Sequence, residues 1–349
     1  MAFIIKIPIF MKRFFLPFLL ILLLAPPIQA QKKNYIFSIE PFTGYTDGSI
    51  QEILYHSGSL KDKKASLLEW DKKYLTLGFA LDAKYKKIGF EAFFSSSIHS
   101  GFGQMTDSDW MNTSNPGIKT TYSIGDTTAK NNYRTGLNFN CILYEYSIFS
   151  FTLQTGLEYS YDKFYRGSDA KGFYGNLIGI RDEQGRLIDV KERSVPVAWN
   201  DSDAVKVPYD RWDQTSGTWK HGHLLGIKYS QHQFYSWAGL GAKVRPLLPV
   251  EITVCALISP FSYFSATDRH NGKNFTSHMI QDSWWSAWKC TAAFQWNFKQ
   301  NMALSLKADF SGTLTIRGDN YNDWYKDKYQ DSGTKVQAKN FSAGIKFII

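Results

Sequence analysis

Apolar and polar side chains alternate one by one along most of the chain beyond residue 34. Because successive side chains of a β-strand point to opposite faces, this alternation predicts strands with one apolar and one polar face. A clear stretch has apolar residues at even positions and mostly polar or small residues at odd ones: Ile88, Phe90, Ala92 and Phe94 against Gly89, Glu91, Phe93 and Ser95. The pattern recurs at residues 288–296, 302–310 and 341–347. The chain is therefore predicted to be all-β.

The connections between the predicted strands are alternately short and long. The short ones lie at residues 84–87, 144–147, 245–249 and 299–301, and the long ones at residues 48–65, 107–132, 167–222, 268–283 and 317–339. Four turns and five loops imply ten antiparallel strands. The longest loop contains strand-like pieces between residues 173 and 190, so we expect the neighbouring strands to extend there as a hairpin.

The side to which the apolar face points distinguishes two kinds of β protein. A soluble sandwich buries its apolar face, whereas a membrane barrel turns it toward lipid and lines its interior with polar residues. The barrel is favoured because the apolar faces end in aromatic residues, short and long connections alternate, and the chain ends with a strand. We therefore predict a ten-stranded antiparallel transmembrane β-barrel with long extracellular loops and short periplasmic turns. A soluble β protein is the alternative.

The N-terminal segment has the organisation of a secretory signal peptide. Lys12 and Arg13 precede an apolar run at residues 14–24, and residues 25–30 form a cleavage region. The apolar run has about 11 residues, whereas a membrane-spanning helix needs about 20, so an uncleaved anchor is the less favoured alternative. We predict a signal peptide at residues 1–30 and a single barrel domain at residues 31–349.

Charge and cysteine content exclude several function classes. The formal net charge is +9, and removal of the three basic residues of the signal leaves 9 − 3 = +6 for the mature chain. No basic cluster is interleaved with stacking aromatics, so nucleic acid is not an expected partner. The cysteines, Cys141, Cys255 and Cys290, are odd in number and widely spaced. Their spacing argues against a disulfide framework and against a metal site.

Two pairs of residues could carry chemistry. If the alternation of the strand that starts at Ile88 continues unbroken, Asp107 and Asp109 both point into the barrel. Asp268 and His270 also share a face, and a carboxylate in that position orients an imidazole and stabilises its protonated form. The pairs lie on the third and seventh predicted strands, nearly opposite each other at the extracellular end. Such a set could activate a water molecule without a covalent nucleophile.

Each pair also has a simpler interpretation. Asp-x-Asp at the start of a loop is most often turn chemistry or solvated charge. Three carboxylates and a histidine could also hold Ca²⁺, but neither pair has the dense ligand spacing of a loop site, so no metal is predicted. No motif of serine hydrolases, zinc sites or phosphate loops occurs.

The stretch GQMTDSDWMNTSNPG at residues 103–117 resembles the signature of the omptins, outer-membrane proteases of Gram-negative bacteria. Further matches are SLLEW at residues 66–70, the segment from Asp268 to His270 with Asp282 following, and AGIKF at residues 343–347. Their order and spacing match over essentially the whole mature chain.

The resemblance implies an endopeptidase of the Asp-His type that cleaves peptides or proteins next to basic residues by direct water attack. His270 corresponds to the general base, Asp268 to its orienting partner, and Asp107 and Asp109 to the pair that holds the water and the substrate. Glu52 corresponds to the acid that attracts a basic side chain at the cleavage point. We expect no cofactor, with lipopolysaccharide as a candidate activator, and a monomer in the outer membrane of a Gram-negative-type cell with its active site facing the exterior.

The sequence departs from the family at positions that affect specificity and lipid contacts. Acids that give family members a preference for paired basic residues correspond here to Ala266 and Thr121, so the resemblance implies a basic residue before the scissile bond through Glu52 and leaves the dibasic rule open. Basic residues that bind lipopolysaccharide correspond to Tyr161, His232 and Gln281.

The loop at residues 167–222 is longer than is usual in the family and could screen the cleft. It also supports the alternative function, a non-catalytic outer-membrane adhesin or interaction barrel that binds other proteins through its long loops. A passive pore is disfavoured because side chains largely fill the interior of a barrel this narrow.

Overall fold

The computed structural model describes residues 35–98, 101–167, 170–207, 209–213, 218–222, 226–247, 249–271, 275–322 and 325–349. The predicted signal peptide at residues 1–30 lies outside these residues. In the described part of the chain, no helix is long and apolar enough to cross a membrane. The all-β prediction is confirmed, since the structure consists of strands joined by turns and a short 3₁₀ helix, Gly58–Leu60.

The strands are numbered in chain order. They are β1 Tyr35–Tyr55, β2 Lys64–Tyr85, β3 Ile88–Ser97, β4 Gly101–Asp109, β5 Thr121–Ala129, β6 Tyr133–Tyr146, β7 Phe149–Arg166, β8 Lys171–Arg181, β9 Leu187–Glu192, β10 Ala204–Val207, β11 Tyr209–Asp213, β12 Thr218–Gly222, β13 Ile227–Leu247, β14 Val250–His270, β15 Phe275–Ser283, β16 Ala287–Lys299, β17 Met302–Thr313, β18 Ile316–Asn322 and β19 Tyr325–Ile348. All except β11 and β12, which pair with each other, belong to one sheet.

Antiparallel pairing runs through this sheet and returns to its first strand. β1 pairs with β2 on one side and with β19 on the other. After β2, the next position in the sheet is held by β3 and β4 together, and the one after it by β5 and β6 together. Three single strands follow, namely β7, β13 and β14. The next positions are held by β15 with β16 and by β17 with β18, and this last pair of strands is hydrogen-bonded to β19. Two strands that share a position follow one another along the same neighbouring strand, as β3 and β4 do along β2. All functional candidates therefore project from one continuous sheet.

The four predicted turns are confirmed, whereas most of the predicted loops are too long. Each turn connects two consecutive strands: β2 to β3, β6 to β7, β13 to β14, and β16 to β17. At the other end, β1 continues to Tyr55 and β2 already begins at Lys64, so the loop predicted at residues 48–65 is mostly strand. The predicted loop at residues 317–339 is likewise occupied by β18 and β19. In these segments polar residues occupy both faces of the strands, so the sequence lacks the alternation of apolar and polar residues that predicts a strand.

The outer face of the sheet changes character along the strands. Near the short turns, large apolar side chains are exposed on it, among them Leu75, Leu81, Leu137, Leu240 and Val254. Beyond Leu75 on β2, outward positions carry Lys73 and Asp71, which form an accessible ion pair of 2.8 Å. The outer face thus has an apolar zone near the short turns and a polar zone toward the opposite end.

One extra residue in β14 determines which way the end of that strand faces. Ala238 of β13 is opposite Ile258, but Ser236 is opposite Phe261, so β14 has an additional residue at positions 259–260. Position 260 is Pro260, which has no N–H to donate to a neighbouring strand and is tolerated at such irregularities. Because the side-chain period is two, the extra residue exchanges the two faces.

The two faces of β14 confirm this exchange. Below the irregularity Ile258 is exposed on the outside, and above it the even-numbered Asp268 is buried. An unbroken alternation would have turned Asp268 and His270 outward.

Between β3 and β4 the chain has two more residues than the facing part of β2. An insertion of two residues does not exchange the inner and outer faces of the sheet. Thr76 of β2 is opposite Ser97, and Trp70 is opposite Met105, so eight residues on one side correspond to six on the other. Met105 is buried. Asp107 and Asp109 consequently remain on the inner face, as the alternation from Ile88 predicted.

Aromatic and charged layers fill the interior between the two ends. The buried Trp70 stacks on Tyr229 at a ring-centroid distance of 5.4 Å and on Phe164 at 5.9 Å. Lys72 occupies the next inward position after Trp70 toward the short turns and forms a buried ion pair of 2.7 Å with Asp162. Asp162 also accepts hydrogen bonds from the buried side chains of Tyr74 and Gln233. These layers separate the acidic end of the interior from a cavity of about 730 Å³ lined by charged side chains.

Replacing Asp162 by Asn should destabilise the protein strongly, because it leaves the Lys72 ammonium buried without its carboxylate. We expect the free energy of unfolding to fall by about 3–5 kcal/mol, measured by urea unfolding in detergent micelles. The matched control, Asp71→Asn, breaks the accessible Lys73–Asp71 pair and should cost less than about 1 kcal/mol. Equal losses in the two variants would contradict the prediction.

Candidate active site

Asp107 and Asp109 lie at the end of β4, on the inner face of the sheet. Asp107 is opposite Leu68 on β2 and Ser123 on β5. The strand ends at Asp109, whose carbonyl oxygen accepts hydrogen bonds from the backbone N–H and the hydroxyl of Thr120. Both aspartates are half-buried. Their carboxyl groups are thus held on the same face, two residues apart.

Asp268 and His270 lie at the end of β14 and form a hydrogen-bonded pair. His270 Nε2 is 2.7 Å from Asp268 Oδ2. Asp268 is buried, whereas His270 is partly exposed. An ionised carboxylate only accepts hydrogen bonds, so this contact with Asp268 assigns a proton to Nε2 and makes Nδ1 the ring nitrogen that can act as a base. The imidazole is therefore oriented to accept a proton at Nδ1.

Glu52 on β1 is connected to both pairs. It is opposite Leu68, which is in turn opposite Asp107, so Glu52 and Asp107 belong to one row of the inner face. The residue is 1% exposed, and neither carboxyl oxygen has a hydrogen-bond partner among the described residues. Burial raises the pKa of Glu52 well above its ordinary value, and the charges of Asp268 and Asp107 raise it further. The predicted site residues are therefore close enough to interact across one cleft.

Two buried groups beside these acids were missed by sequence reasoning. Burial raises the pKa of Tyr229, and the charges of Glu52 and Asp268 raise it further. Arg166 is 2% exposed and donates a hydrogen bond of 2.8 Å to Ser123 Oγ. Alternation predicts that both residues point inward, but it does not distinguish a residue of the site from one that packs the interior.

Two positions expected to affect specificity also point inward. Ala266 precedes Asp268 by two residues on β14 and is buried. Thr121 is opposite Asp109 in the pairing of β4 with β5. Neither side chain can supply a negative charge to a substrate.

The long connection at residues 167–222 extends the sheet beside the acidic pair on β4. β8 pairs with β5, where Tyr174 is opposite Thr121. β9 and β10 both pair with β8. The hairpin predicted here is confirmed in β8 and β9, and it stands next to the strand that neighbours Asp109.

Of the positions expected to face lipopolysaccharide, two lie on the outer face and one does not. The rings of Tyr161 and His232 are 4.8 Å apart, and His232 Nδ1 is 2.6 Å from the hydroxyl of Tyr159. Gln281 is 2% exposed and donates a hydrogen bond of 2.9 Å to Ser332. The expectation for Gln281 is wrong, because this residue lies on the inner face of β15 and cannot reach lipid.

The chemistry of the site comes from its acids and its imidazole. Among the described residues, no group of three or more His, Cys, Asp and Glu side chains is arranged to hold a metal ion. The cleft combines an oriented imidazole, a carboxylate that stabilises its protonated form, and a second carboxylate pair on another strand. Such a set can orient a water molecule and accept a proton from it.

Comparison with known proteins gives a family and a fold. Residues 33–193 match the model of the Omptin family, a segment that contains Glu52, Asp107 and Asp109 and ends before Asp268. No curated protein sequence matches the chain. The fold is similar to that of the outer membrane protease OmpT from Escherichia coli, with a TM-score of 0.70, 17% sequence identity, and coverage of 93% of this chain and 99% of that chain.

Other outer-membrane structures are more distant. The outer membrane protein OprG from Pseudomonas aeruginosa has a TM-score of 0.32 and 9% identity, and covers 92% of this chain and 99% of its own. The translocator domain of the autotransporter NalP from Neisseria meningitidis has a TM-score of 0.35 and 7% identity, with 99% of both chains covered. These scores are too low to support an argument about this chain.

The family predicted from the stretch at residues 103–117 is thereby confirmed. The family match and the fold both indicate the outer membrane of Gram-negative-type cells. This protein is located in that membrane. The family-model match and the shared fold together show that residues 33–193 are similar to the omptins and that the chain has the fold of an outer membrane protease.

Proposed function

We propose that this chain is an outer-membrane endopeptidase whose strands cross the membrane as a ten-stranded antiparallel barrel. The apolar zone of the outer face contacts lipid, the short turns lie in the periplasm, and the acidic end faces the exterior. One observation carries the proposal. Glu52 and Asp107 lie in one row of the inner face through Leu68, and the charges of Asp268 and Asp107 add to burial in raising the pKa of Glu52, which supports a single cleft for the two predicted pairs.

Hydrolysis proceeds by direct attack of water on the peptide carbonyl. Asp107 and Asp109 hold the water molecule, and Nδ1 of His270 takes one of its protons as the oxygen bonds to the carbonyl carbon. Asp268 stabilises the resulting imidazolium through its hydrogen bond to Nε2. When the tetrahedral intermediate collapses, the C–N bond breaks and the imidazolium returns its proton to the leaving amine. No covalent intermediate with the enzyme forms.

Replacing Asp107 or His270 by Ala should abolish most of the cleavage. Loss of a positioned general base lowers the rate by about 10²- to 10⁴-fold, and loss of Asp107 removes a ligand of the attacking water. The measurement is kcat/KM of the refolded protein with lipopolysaccharide on a peptide library.

Retained heat-modifiable migration on gels serves as the folding control for both variants. Equal cleavage by the wild type and both variants would contradict the proposed mechanism. Absence of turnover in the wild type, combined with protein binding that is lost when residues 170–207 are removed, would favour the adhesin alternative.

The specificity that we propose is for a single basic residue before the scissile bond. Glu52 supplies the negative charge that attracts this side chain, and it is buried, so its interaction with a cation is only weakly screened. Ala266 and Thr121 do not add a charge to the cleft. A second basic residue is therefore not required for binding.

Replacing Glu52 by Gln should remove the preference for basic residues. Selectivity for Lys or Arg over norleucine should fall by about two orders of magnitude, since loss of one partner of a buried charge pair costs about 3 kcal/mol. In the wild type, KM for basic peptides should decrease as pH rises through the raised pKa of Glu52, because the cation binds the ionised form. The variant should lack this dependence.

Stability gives a check on Glu52 that is independent of activity. The folded protein holds the Glu52 proton more tightly than the unfolded chain, so ionisation of this buried group destabilises the fold as pH rises from the unfolded pKa through the folded one. Glu52→Gln should therefore unfold at a higher urea concentration than the wild type at alkaline pH and at a similar one at acidic pH. A variant with unchanged selectivity and unchanged pH dependence would contradict the role of Glu52.

Lipopolysaccharide binding is proposed at the outer face of β7 and β13. Tyr161 and His232 form an aromatic contact there, and exposed Lys163 and Lys228 lie closer to the extracellular ends of the same strands. Aromatic side chains favour the membrane interface, and ammonium groups above them can bind phosphates of the lipid headgroup.

The double variant Lys163→Gln and Lys228→Gln should need about 30-fold more lipopolysaccharide for half-maximal activity, since each of the two lost cations near an anionic surface costs about 1 kcal/mol. Activity at saturating lipopolysaccharide should be retained. The matched control, Lys86→Gln with Lys87→Gln, removes two exposed cations at a short turn and should leave the activation curve unchanged. Coincident curves for all three proteins would rule out this contact.

A further inference from the structure

Arg166 is a fully buried cation at the acidic end of the interior. It is the last residue of β7, points to the inner face, and is 2% exposed. A guanidinium is charged at every accessible pH, so it cannot escape the cost of burial by losing a proton. A position with this burial in a strand is ordinarily occupied by an apolar side chain. Its charge therefore requires a physical reason.

The contacts of Arg166 lie directly beside Asp107. Its Nη1 donates hydrogen bonds to Ser123 Oγ at 2.8 Å and to Met105 Sδ at 3.2 Å. Ser123 is opposite Asp107 in the pairing of β4 with β5, and Met105 precedes Asp107 by two residues on the same face. Opposite residues on one face have Cβ atoms about 5 Å apart. The guanidinium is thus one contact away from the carboxyl group of Asp107.

The hydroxyl of Ser123 connects these two groups. Because Ser123 Oγ accepts its hydrogen bond from Arg166, its own proton is available for donation to an acceptor on the same face. Asp107 is the residue opposite Ser123 on that face. Arg166 can therefore orient Asp107 through the hydroxyl as well as stabilise its negative charge.

The charges that face Asp107 explain why a cation is useful there. Asp109 lies on the same strand, Glu52 on β1, and the Asp268–His270 pair on β14. On β2 the opposite residue is the uncharged Leu68. Each of the acids favours protonation of the others, whereas a buried cation favours their ionised forms. The water-holding role needs carboxylates that accept hydrogen bonds.

We propose that Arg166 is a positioning residue for Asp107, acting through Ser123, and that its charge keeps the Asp107–Asp109 pair ionised so that it can hold the attacking water. This inference rests on the proposed function. It adds a residue that sequence alternation does not mark as part of the site, and it makes a cation a determinant of the acid limb of activity beside the ionisation of Glu52.

The test compares pH profiles of kcat/KM for the wild type, Arg166→Met, Arg166→Lys and Ser123→Ala, all at saturating lipopolysaccharide. We expect Arg166→Met to move the acid limb to higher pH by about one unit, the lower end of the effect of an adjacent cation on an aspartate. On the acid side of the profile, kcat/KM of Arg166→Met should be about tenfold below that of the wild type. Most of this difference should disappear on the alkaline plateau. Arg166→Lys keeps the charge and should keep the limb.

Ser123→Ala should reduce kcat more than KM, because it removes the orienting contact and leaves the charge. The matched control, Lys171→Met, removes an exposed cation on β8 and should leave the profile unchanged. A uniform loss of rate in Arg166→Met without movement of the limb means that Arg166 only packs the interior, which overturns the inference.

Two outcomes separate the inference from the proposed function. If Asp107→Ala cleaves as well as the wild type, the proposed function fails, whatever Arg166 does. If Asp107→Ala is inactive while the acid limb of Arg166→Met coincides with that of the wild type, the inference alone fails. If Arg166→Met does not refold, Ser123→Ala decides: a selective loss of kcat supports the inference, and a wild-type profile overturns it.

Discussion

Side chains of a β-strand alternate between two faces, and every functional group of this protein depends on how that period of two is kept or broken. In β14 one extra residue beside Pro260 exchanges the faces, so Asp268 and His270 point inward. Between β3 and β4 the extra residues number two, and Asp107 and Asp109 stay on the face that the strand began with. Backbone register therefore comes before electrostatics in building this site.

Once the register has brought the acids together, their mutual repulsion shapes the chemistry. Glu52 is the most deeply buried of them, and its pKa is raised by burial and then by Asp268 and Asp107. A substrate cation would offset the same repulsion that raises the pKa of this carboxyl. Binding of the basic side chain is therefore coupled to proton release, which links specificity to pH within a single residue.

The sequence predicts one acidic pair better than the other, and the reason is physical. Alternation from Ile88 predicted the inward direction of Asp107 and Asp109 correctly, because an insertion of two residues leaves the faces unchanged. The same reasoning applied along β14 would have turned Asp268 outward, and only the proline at position 260 hints at the irregularity. For that pair, the family motif was the more reliable guide.

Other features had no readable signal in the sequence. The strands extend far beyond the apolar zone, where polar residues on both faces were interpreted as loops, so the bounds of β18 and β19 were missed. Arg166 was not selected because the cost of a buried charge depends on neighbours that are distant in sequence. Gln281 was aligned with a lipopolysaccharide-binding position of the family, and only the register of β15 shows that it lies inside.

The additional residue in β14 also constrains how the protein can evolve. An in-frame deletion of one residue at positions 259–260 would leave composition and net charge almost unchanged, yet it would reverse the faces of the strand end that carries His270. Insertions and deletions in that strand are compatible with activity only in pairs. The extension formed by β8 and β9 pairs at the border of the sheet and can change length without this parity rule. New access routes to the cleft can therefore arise by ordinary changes in loop length, while the catalytic strand evolves almost entirely by substitution.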